Sequence, residues 1–416
     1  MTNINFDMVQ TLAVAAFVLY AGGKIKSHVK VLQKYFIPAP VIGGILASVI
    51  IMCLRHAEVL RFSFDTTLQS LFMSAFFTTV GFMASFKLLL QGGIGVVVML
   101  FVSAILLVSQ NALGCSLASL FGLDPKFGLM VGSVSLTGGH GTVGAFGATI
   151  ESSGVKGALT AGFAAATFGL VAGCIIGGPV GRYLLLRHKI QTHDDKSENE
   201  IMEEEVVKEV VGPDIHEDPF SGHNFMKSAV CIAVAMGAGS VVAPVVKQYT
   251  SFFMDGGLIL PGYIGPMLIA ALMRNILDYL KKGIPMIAID AIGSVSLSIF
   301  LSMAMMTMKL WELAELALPI ITILFAQTLL VILFVVFVTY NFMRRKVIGT
   351  DYDSAVICTG HCGFGMGSTP TAMANMTSFC EVNGFSTRAF FIIPLIGSLF
   401  IDFINAMVIS IYINIL

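Results

Sequence analysis

Two glycine-rich segments combine helix-breaking residues with small polar side chains. The first reads Ser133-Val-Ser-Leu-Thr-Gly-Gly-His-Gly-Thr-Val-Gly144, and the second reads Thr359-Gly-His-Cys-Gly-Phe-Gly-Met-Gly-Ser-Thr-Pro-Thr371. Glycine at this density disfavours a regular helix, and Pro370 adds a second break. A broken helix presents free N–H groups, which attract carboxylates, and free carbonyl groups, which coordinate Na+. The two segments therefore predict a site for an anion bound together with a cation.

The candidate substrate ligands in these segments are the glycines and the residues with hydroxyl or imidazole groups. They are Ser135, Thr137, Gly138, Gly139, His140, Gly141, Thr142, Gly360, His361, Gly363, Gly365, Gly367, Ser368, Thr369 and Thr371. An alternative is that the glycines only permit close packing of helices, as small residues do in membranes. The flanking Ser, Thr and His at corresponding positions of both segments favour binding. Each histidine is predicted to lie in a glycine-rich tip and to hydrogen-bond broken backbone or contact substrate. A metal site with Cys358 and Cys362 is disfavoured because no further cluster of ligands is present.

A carboxylate within the last apolar run is the main candidate for cation binding. Asp402 lies in Ser398-Leu-Phe-Ile-Asp-Phe-Ile-Asn405, and a charge at such depth costs about 2.5 to 3.5 kcal/mol. Asn405 shares its helix face, since it follows three residues later. Ser398 and Asn111 are further candidate Na+ ligands, although Asn111 equally suits hydrogen bonding between helices. A structural ion pair or hydrogen bond of Asp402 is the alternative.

The composition indicates that these groups lie in a membrane. Hydrophobic residues make up 56% of the 416 residues and charged residues 12%, and the mean hydropathy is +0.87. Runs of about 17 to 25 apolar residues, the length that crosses a bilayer, recur about ten times. They fall at 8–23, 38–54, 67–90, 94–121, 157–186, 224–248, 258–278, 287–308, 316–342 and 386–415. With a net charge of -1 confined to the connections, nucleic acid is not an expected partner.

The two halves of the chain resemble each other in the same order of motifs. Ile37-Pro-Ala-Pro-Val-Ile-Gly-Gly matches Leu260-Pro-Gly-Tyr-Ile-Gly-Pro, and Glu151-Ser-Ser-Gly-Val matches Glu381-Val-Asn-Gly-Phe. Five spans per half make the second copy inverted relative to the first, which is typical of alternating-access transporters. The sequence thus predicts an all-α polytopic fold with about ten transmembrane helices in two inverted repeats, each with a re-entrant helical hairpin. The predicted repeats are 1–187 and 224–416, the re-entrant segments are 127–150 and 353–378, and the acidic linker is 188–223.

The distribution of Lys and Arg predicts how the chain lies in the membrane. With the amino terminus outside, sixteen basic residues fall on the inner side and six on the outer side. Because basic residues favour the cytoplasmic side, both termini are expected outside and the linker, with a short helix near 200–210, in the cytoplasm. The basic cluster after the first apolar run indicates a retained helix and not a cleaved signal peptide.

Seven motifs spread over nearly the whole chain resemble those of the bacterial glutamate:Na+ symporter family. They are Ile37-Pro-Ala-Pro-Val-Ile-Gly-Gly, Ser135-Leu-Thr-Gly-Gly-His-Gly-Thr, Ala166-Thr-Phe-Gly-Leu, Gly177-Gly-Pro-Val-Gly-Arg182, Lys309-Leu-Trp-Glu-Leu-Ala, Gly360-His-Cys-Gly-Phe-Gly-Met-Gly-Ser-Thr-Pro-Thr-Ala and Phe400-Ile-Asp-Phe-Ile-Asn-Ala. The central linker is longer and more acidic than this resemblance leads us to expect.

The resemblance implies a homodimer in the bacterial cytoplasmic (inner) membrane that imports L-glutamate with Na+ by an elevator-like motion. Na+ is the coupling ion, and no cofactor is expected. The residues alone leave other substrates open, such as a citrate-like anion or another dicarboxylate, and a passive ion channel is a further alternative. An intramembrane enzyme is disfavoured, because no Ser-His-Asp, HExxH or paired-carboxylate arrangement is evident.

Overall fold

The structure is a computed structural model of the chain, and it describes residues 2–91, 93–191, 221–250, 261–310, 316–344 and 350–416. Most of the predicted linker, 192–220, lies outside the described residues, as does its predicted short helix. The helices are α1 (Met8–His28), α2 (Lys30–Lys34), α3 (Ala39–His56), α4 (Thr67–Met83), α5 (Phe86–Gln91), α6 (Gly93–Leu120), α7 (Pro125–Met130), α8 (Gly139–Ser152), α9 (Ala158–His188), α10 (Gly222–Gly239), α11 (Val242–Thr250), α12 (Ile264–Tyr279), α13 (Met286–Met306), α14 (Ala317–Met343), α15 (Asp351–Met366), α16 (Thr369–Asn383), α17 (Thr387–Leu395) and α18 (Ile401–Ile415). A π-helical stretch, Ile396–Phe400, joins α17 to α18.

The helices confirm a polytopic membrane protein. In the described part of the chain, seven are long and apolar enough to cross a membrane, and the pair α17 and α18, bent by 44°, raises this number to eight. Helix α4 is apolar but shorter, with 17 residues. The run 386–415, predicted to be one span, is therefore bent. The number of spans predicted from the sequence, about ten, is larger than the seven or eight found among the described residues.

The apolar run 67–90, also predicted to be one span, is broken between α4 and α5. At the break, the Asn275 side chain of α12 donates to the Ala84 carbonyl and accepts from the Phe86 N–H, both at 2.8 Å. Ser85 Oγ donates to Asp278 Oδ2 at 2.6 Å. Groups of another helix thus replace the helical hydrogen bonds that the break removes, which hydropathy cannot reveal.

Two short strands, which were not predicted from the sequence, accompany the mostly helical fold. Strand β1 (Thr2–Phe6) pairs in parallel with β2 (Leu60–Phe64). Both alternate polar and apolar residues with the period of a strand. The rings of Phe6, Phe62 and Phe64 lie against one another, with centroids 5.1 Å apart for the closest pair. The strands lie outside the apolar runs, so their signal was the alternation and not hydropathy.

Helices α1, α3, α4, α10, α12 and α13 pack together, and we call them the six-helix bundle. Helix α3 packs on α1 and α13, and α12 packs on α10 and α4. Several of these contacts join backbone to backbone at glycines. A Cβ built on Gly43 would lie 2.0 Å from the Val18 carbonyl oxygen, and one on Gly81 would lie 2.1 Å from that of Met267. Small residues thus set the helix spacing in this bundle.

Helices α6 to α9 and α14 to α18 pack together, and we call them the hairpin bundle. Helix α7 packs on α6, α8 on α9, and α15 on both α9 and α16. A Cβ on Gly363 would lie 2.4 Å from Ala372 Cα, and one on Gly360 would lie 2.5 Å from Met376 Sδ. These paired contacts make α15 and α16 an antiparallel hairpin.

The glycine-rich segments are more helical than their composition predicts. Gly360, Gly363 and Gly365 lie inside the regular helix α15, and the chain leaves the helix only at Gly367. In the first segment the turns occupy 131–138 and precede most of the glycines. The prediction that these glycines break the helix was therefore wrong for most of them. Their role matches the alternative of close packing, because side chains at these positions would overlap neighbouring helices.

The two bundles meet along an apolar junction that centres on α8. A Cβ on Gly144 would lie 2.4 Å from Phe300 Cζ of α13. The Phe146 ring lies edge-on to Tyr263, with centroids 5.4 Å apart, and Phe77 packs on the same tyrosine at 4.4 Å. Each bundle has its own side-chain hydrogen bonds between helices, such as Ser48 to the Met305 carbonyl in the six-helix bundle and Gln110 to the Gly365 carbonyl in the hairpin bundle.

Candidate functional site

Two short helices begin next to each other inside the hairpin bundle. Helix α8 begins at Gly139, and α16 begins at Thr369, two residues after Gly367. A Cβ built on Gly139 would lie 3.5 Å from the Gly367 carbonyl oxygen. The first N–H groups of a helix lack intrahelical partners, and the helix dipole adds positive potential there. The two helix starts therefore direct positive potential towards one small region, which suits a carboxylate.

The start of α8 has no side-chain cap, although the Gly139 N–H donates to the Ser135 carbonyl at 3.1 Å. Its N-cap residue is Gly138, which has no side chain to bond the first N–H groups. Gly139 has a φ of 64°, a left-handed conformation that glycine adopts at low cost. A Cβ on Gly138 would lie 2.5 Å from Thr142 Oγ1 and 2.7 Å from Asn405 Nδ2. The Thr142 hydroxyl and the Asn405 amide therefore lie beside this helix start.

The start of α16 presents two hydroxyl groups. Ser368 is the N-cap residue, and its Oγ accepts from the Thr371 N–H at 3.5 Å and lies 3.1 Å from Thr371 Oγ1. Ser368 and Thr369 are partly exposed, whereas Thr371 is buried. Pro370 brings no N–H group to this first turn. The hydroxyls of Ser368 and Thr369 are therefore the accessible polar groups of this tip.

Gln110 of α6 joins the two glycine-rich segments. Its Nε2 donates to the Gly365 carbonyl at 2.8 Å, and its Oε1 accepts from Thr137 Oγ1 at 2.8 Å. Gln110 is fully buried, so these bonds satisfy an amide that would otherwise be costly. Gln110 is not among the residues predicted from the sequence. The available signal was its position next to Asn111, as an amide pair within an apolar run.

Asn405 and Asn111 hold the first segment from two helices. The Ser133 hydroxyl donates to Asn405 Oδ1 at 2.7 Å, and Asn405 Nδ2 donates to the Ser133 carbonyl at 3.0 Å. The Ser133 N–H donates to Asn111 Oδ1 at 3.0 Å. Asn111 Nδ2 is buried without a partner among the described groups. The predicted ion ligands thus fix the turn before α8, and Ser133, which was not predicted, is their common partner.

Asp402 is a carboxylate without a protein partner in the described part of the chain. It is partly buried on α18, one turn before Asn405, and forms no hydrogen bond or ion pair there. Ser398 is exposed on the π-helical stretch before α18, and a Cβ on the adjacent Gly397 would lie 2.7 Å from Thr369 Oγ1. Since π-helical stretches are frequent at functional sites, the helix irregularity and the carboxylate together suit a cation.

The two histidines do not occupy equivalent places. His140 lies in the first turn of α8, buried, with Nε2 3.0 Å from Thr167 Oγ1. His361 lies inside α15, with Nδ1 2.9 Å from Thr339 Oγ1 and its ring against Phe364. The sequence predicted His361 in a glycine-rich tip, and this prediction is wrong, because His361 lies inside α15. Its neighbours Gly360 and Gly363 also lie inside this helix. No group of three or more His, Cys, Asp or Glu that could hold a metal ion occurs among the described residues.

Comparisons with known proteins identify the family of this chain. Residues 4–385 match the family model described as sodium/glutamate symporter. The sodium/glutamate symporter of Escherichia coli is 39% identical over 417 residues, covering 98% of each chain, and that of Haemophilus influenzae is 38% identical over 404 residues, covering 96% of each. Members of this family are transporters, which confirms the prediction that the chain is not an enzyme. The chain belongs to the sodium/glutamate symporter family.

Proposed function

We propose that this chain is a secondary active transporter that imports L-glutamate together with Na+. The supporting observation is that two helix starts converge next to α18, the helix that carries the carboxylate of Asp402, in a chain that is 39% identical to a sodium/glutamate symporter over nearly its whole length. Helix starts attract the carboxylates of glutamate, and Asp402 attracts the cation. A bound cation raises the affinity for a neighbouring anion, and the bound anion raises the affinity for the cation by the same factor. Symport requires such coupling.

The substrate is assigned to the region between the starts of α8 and α16. The N–H groups of the first turn of α8 and the hydroxyls of Thr142, Ser368 and Thr369 are the proposed ligands. Ser368 and Thr369 are chosen because they are partly exposed, and the buried Thr142 because its hydroxyl lies beside the start of α8. Ser135, Thr137, His140, Gly365 and Thr371 are buried around it and are assigned to supporting its shape.

Na+ is assigned to the face of α18 that carries Asp402. Asp402 supplies the charge, and Asn405 Oδ1 supplies a neutral oxygen that retains a lone pair after accepting from Ser133. Ser398 lies one turn before Asp402 and is a further proposed ligand. Asn111 is assigned to holding Ser133, because its oxygen already accepts the Ser133 N–H.

Two inverted repeats with re-entrant hairpins form the proposed architecture. The packing of equivalent helices supports it. Helix α3 of the first repeat packs on α13 of the second, and the equivalent pair, α12 of the second repeat and α4 of the first, packs in the same way. Adding α4 and α12 to the eight long spans gives the ten predicted helices. Helix α6 runs antiparallel to α14, since Gly114 lies near Gln327 and Leu106 lies near Gly365 beside Val331. The segments 127–150 and 353–378 then enter from opposite sides.

An elevator-like motion of the hairpin bundle against the six-helix bundle is the proposed transport step. The apolar junction around Phe146 and Phe300 supports it, because contacts between apolar side chains can slide without the loss of a hydrogen bond. We further propose a homodimer in the bacterial inner membrane, with both termini outside and the linker 188–223 in the cytoplasm. The bias of Lys and Arg supports this orientation.

Exchange across proteoliposomes distinguishes glutamate from the other small anions. Liposomes loaded with unlabelled L-glutamate and Na+ should take up labelled L-glutamate from outside. An excess of unlabelled L-glutamate outside should block this uptake, whereas citrate and four-carbon dicarboxylates should not. Equal block by a dicarboxylate would reassign the substrate, and uptake that is linear in concentration without saturation would indicate a channel.

A further inference from the structure

An apolar groove runs along the outside of the hairpin bundle between α9 and α14. Its volume is about 400 Å³, and its lining includes Ile175, Pro179, Tyr183, Leu333 and Phe337. Tyr183, Leu333 and Phe337 are 48%, 45% and 62% exposed. Both helices are long enough to cross the membrane, so this exposed apolar surface faces hydrocarbon. The groove is therefore shaped for a flexible apolar chain.

The two helices run parallel and end together at one end of the groove. The rings of Phe168 and Phe325 lie 6.4 Å apart, and twenty residues further along α9 His188 stacks on Tyr340 at 4.5 Å. Arg187 follows Tyr183 by four residues, about 6 Å along α9 at 1.5 Å per residue. The groove thus leads to the paired ends of α9 and α14.

Cations surround these paired helix ends. Arg344 lies with its guanidinium carbon 5.6 Å from the Tyr340 ring centroid, and its Nε is 3.5 Å from Asp351 Oδ1. Arg187 is exposed and forms no ion pair with any described residue. Both guanidinium groups, and the Asp351 carboxylate, act electrostatically on the His188 ring. Two guanidinium groups against one carboxylate leave the end of the groove positively charged.

Favourable interaction with the helix dipole is one use for a cation in a last helical turn. At α9, however, the backbone already closes this end, because the Lys189 N–H donates to the Leu185 carbonyl. The dipole also gives no reason for an apolar groove that leads to the cations. An apolar channel with a positive end matches an anionic amphiphile, and basic pockets between membrane helices bind such head groups.

We propose that this groove binds an anionic phospholipid, with one acyl chain along α9 and α14 and the phosphate at Arg187 and Arg344. The lipid would link the ends of α9 and α14, two helices of the hairpin bundle. This assignment does not depend on the transported substrate, and it holds on whichever side of the membrane the two helices end.

Tryptophan fluorescence with brominated lipids tests the proposal. The chain has one tryptophan, so Trp311→Phe with Phe337→Trp places the only tryptophan in the groove. Bilayers contain brominated phosphatidylglycerol or phosphatidylcholine with identical acyl chains. We expect phosphatidylglycerol to bind at least about fivefold more strongly, as about 1 kcal/mol per cation predicts. Phe17→Trp in the same background reports from α1, where the side chain is 70% exposed, and should show no preference.

A cation variant and its matched control identify the head-group site. Arg187→Gln should lower the preference about fivefold, whereas Arg388→Gln, which removes an exposed arginine at the start of α17, should keep it. Raising the ionic strength should weaken the preference in the unmodified site, which tests the claim even when Arg187→Gln folds poorly. Equal quenching by both lipids would overturn the proposal. So would quenching at position 17 but not at 337, since protein would then cover the groove.

Discussion

Replacing Gly169 by alanine tests whether α9 must contact the end of α15 for transport. The new Cβ would lie 2.2 Å from the Met366 carbonyl oxygen and 3.1 Å from Leu136 Cδ2. Because Cβ atoms essentially never come within 3.0 Å of such a group, α9 and the end of α15 must separate by about 0.8 Å. Met366 immediately precedes Gly367, so the displacement reaches the meeting point of the two helix starts.

The expected cost follows from this displacement. Overpacking costs about 1 to 3 kcal/mol of stability, and misplacing binding groups by about 1 Å lowers rates by about 100-fold. We therefore expect Gly169→Ala to lower Vmax/KM for glutamate uptake into proteoliposomes at least about tenfold, and to lower the unfolding temperature. The matched control is Gly178→Ala on the same helix, where a Cβ meets nothing within 4 Å. That variant should transport like the unmodified protein.

Equal Vmax/KM for glutamate uptake by the two variants would refute the claimed role of the contact between α9 and α15. Uptake by Gly169→Ala equal to that by Gly178→Ala would mean that the close approach of α9 to α15 is not needed for binding. A loss of thermal stability with unchanged Vmax/KM would assign the contact to folding alone and remove it from the account of the site.

Three further substitutions test the proposed roles of polar groups. Asp402→Asn should raise the Na+ concentration for half-maximal uptake by about tenfold, a loss of about 1.4 kcal/mol. Asp65→Asn, at the partly exposed residue that follows β2, should leave it unchanged. Unaltered Na+ affinity in the first variant removes Asp402 from the ion site. Ser133→Ala should lower the free energy of unfolding by about 1 to 3 kcal/mol, because the buried Asn405 Oδ1 loses its hydroxyl donor. The loss should exceed that of Ser135→Ala, whose hydroxyl makes one 3.4 Å bond, and equal losses would contradict this. Asn275→Ala should lower the free energy of thermal unfolding by about 1 to 3 kcal/mol, since it leaves both backbone groups at the α4–α5 break without their partner. Unchanged stability would show that the break does not depend on these two hydrogen bonds.

Hydropathy and motif order predicted the coarse features of this protein. The apolar runs located the long helices, and the motifs identified the family, because both are properties of contiguous residues. The two strands were missed, since Thr2–Phe6 and Leu60–Phe64 reveal themselves only through alternation and through the pairing of distant segments. The break at Ala84 was missed for a similar reason, because Asn275 lies far away in the sequence.

The candidate site shows the same division between local and distant information. Composition correctly identified segments in which helices start and end, but not the residues at which they do. Gly360 and Gly363 remain helical because Met376 and Ala372 of the facing helix occupy the space of their missing side chains. Helix packing decides this outcome, and backbone entropy alone cannot. Gln110 and Ser133 likewise became visible only when three helices were brought together.

Uptake of labelled L-glutamate into proteoliposomes, with and without an inward Na+ gradient, tests the central claim most directly. The proposed symport predicts accumulation above the external concentration when Na+ is higher outside. When K+ replaces Na+, or when the Na+ gradient is collapsed, it predicts that labelled L-glutamate inside does not rise above the external concentration. Accumulation that is equally fast and equally high in K+ would contradict coupling to Na+, and with it the assignment of Asp402 and α18 to the cation.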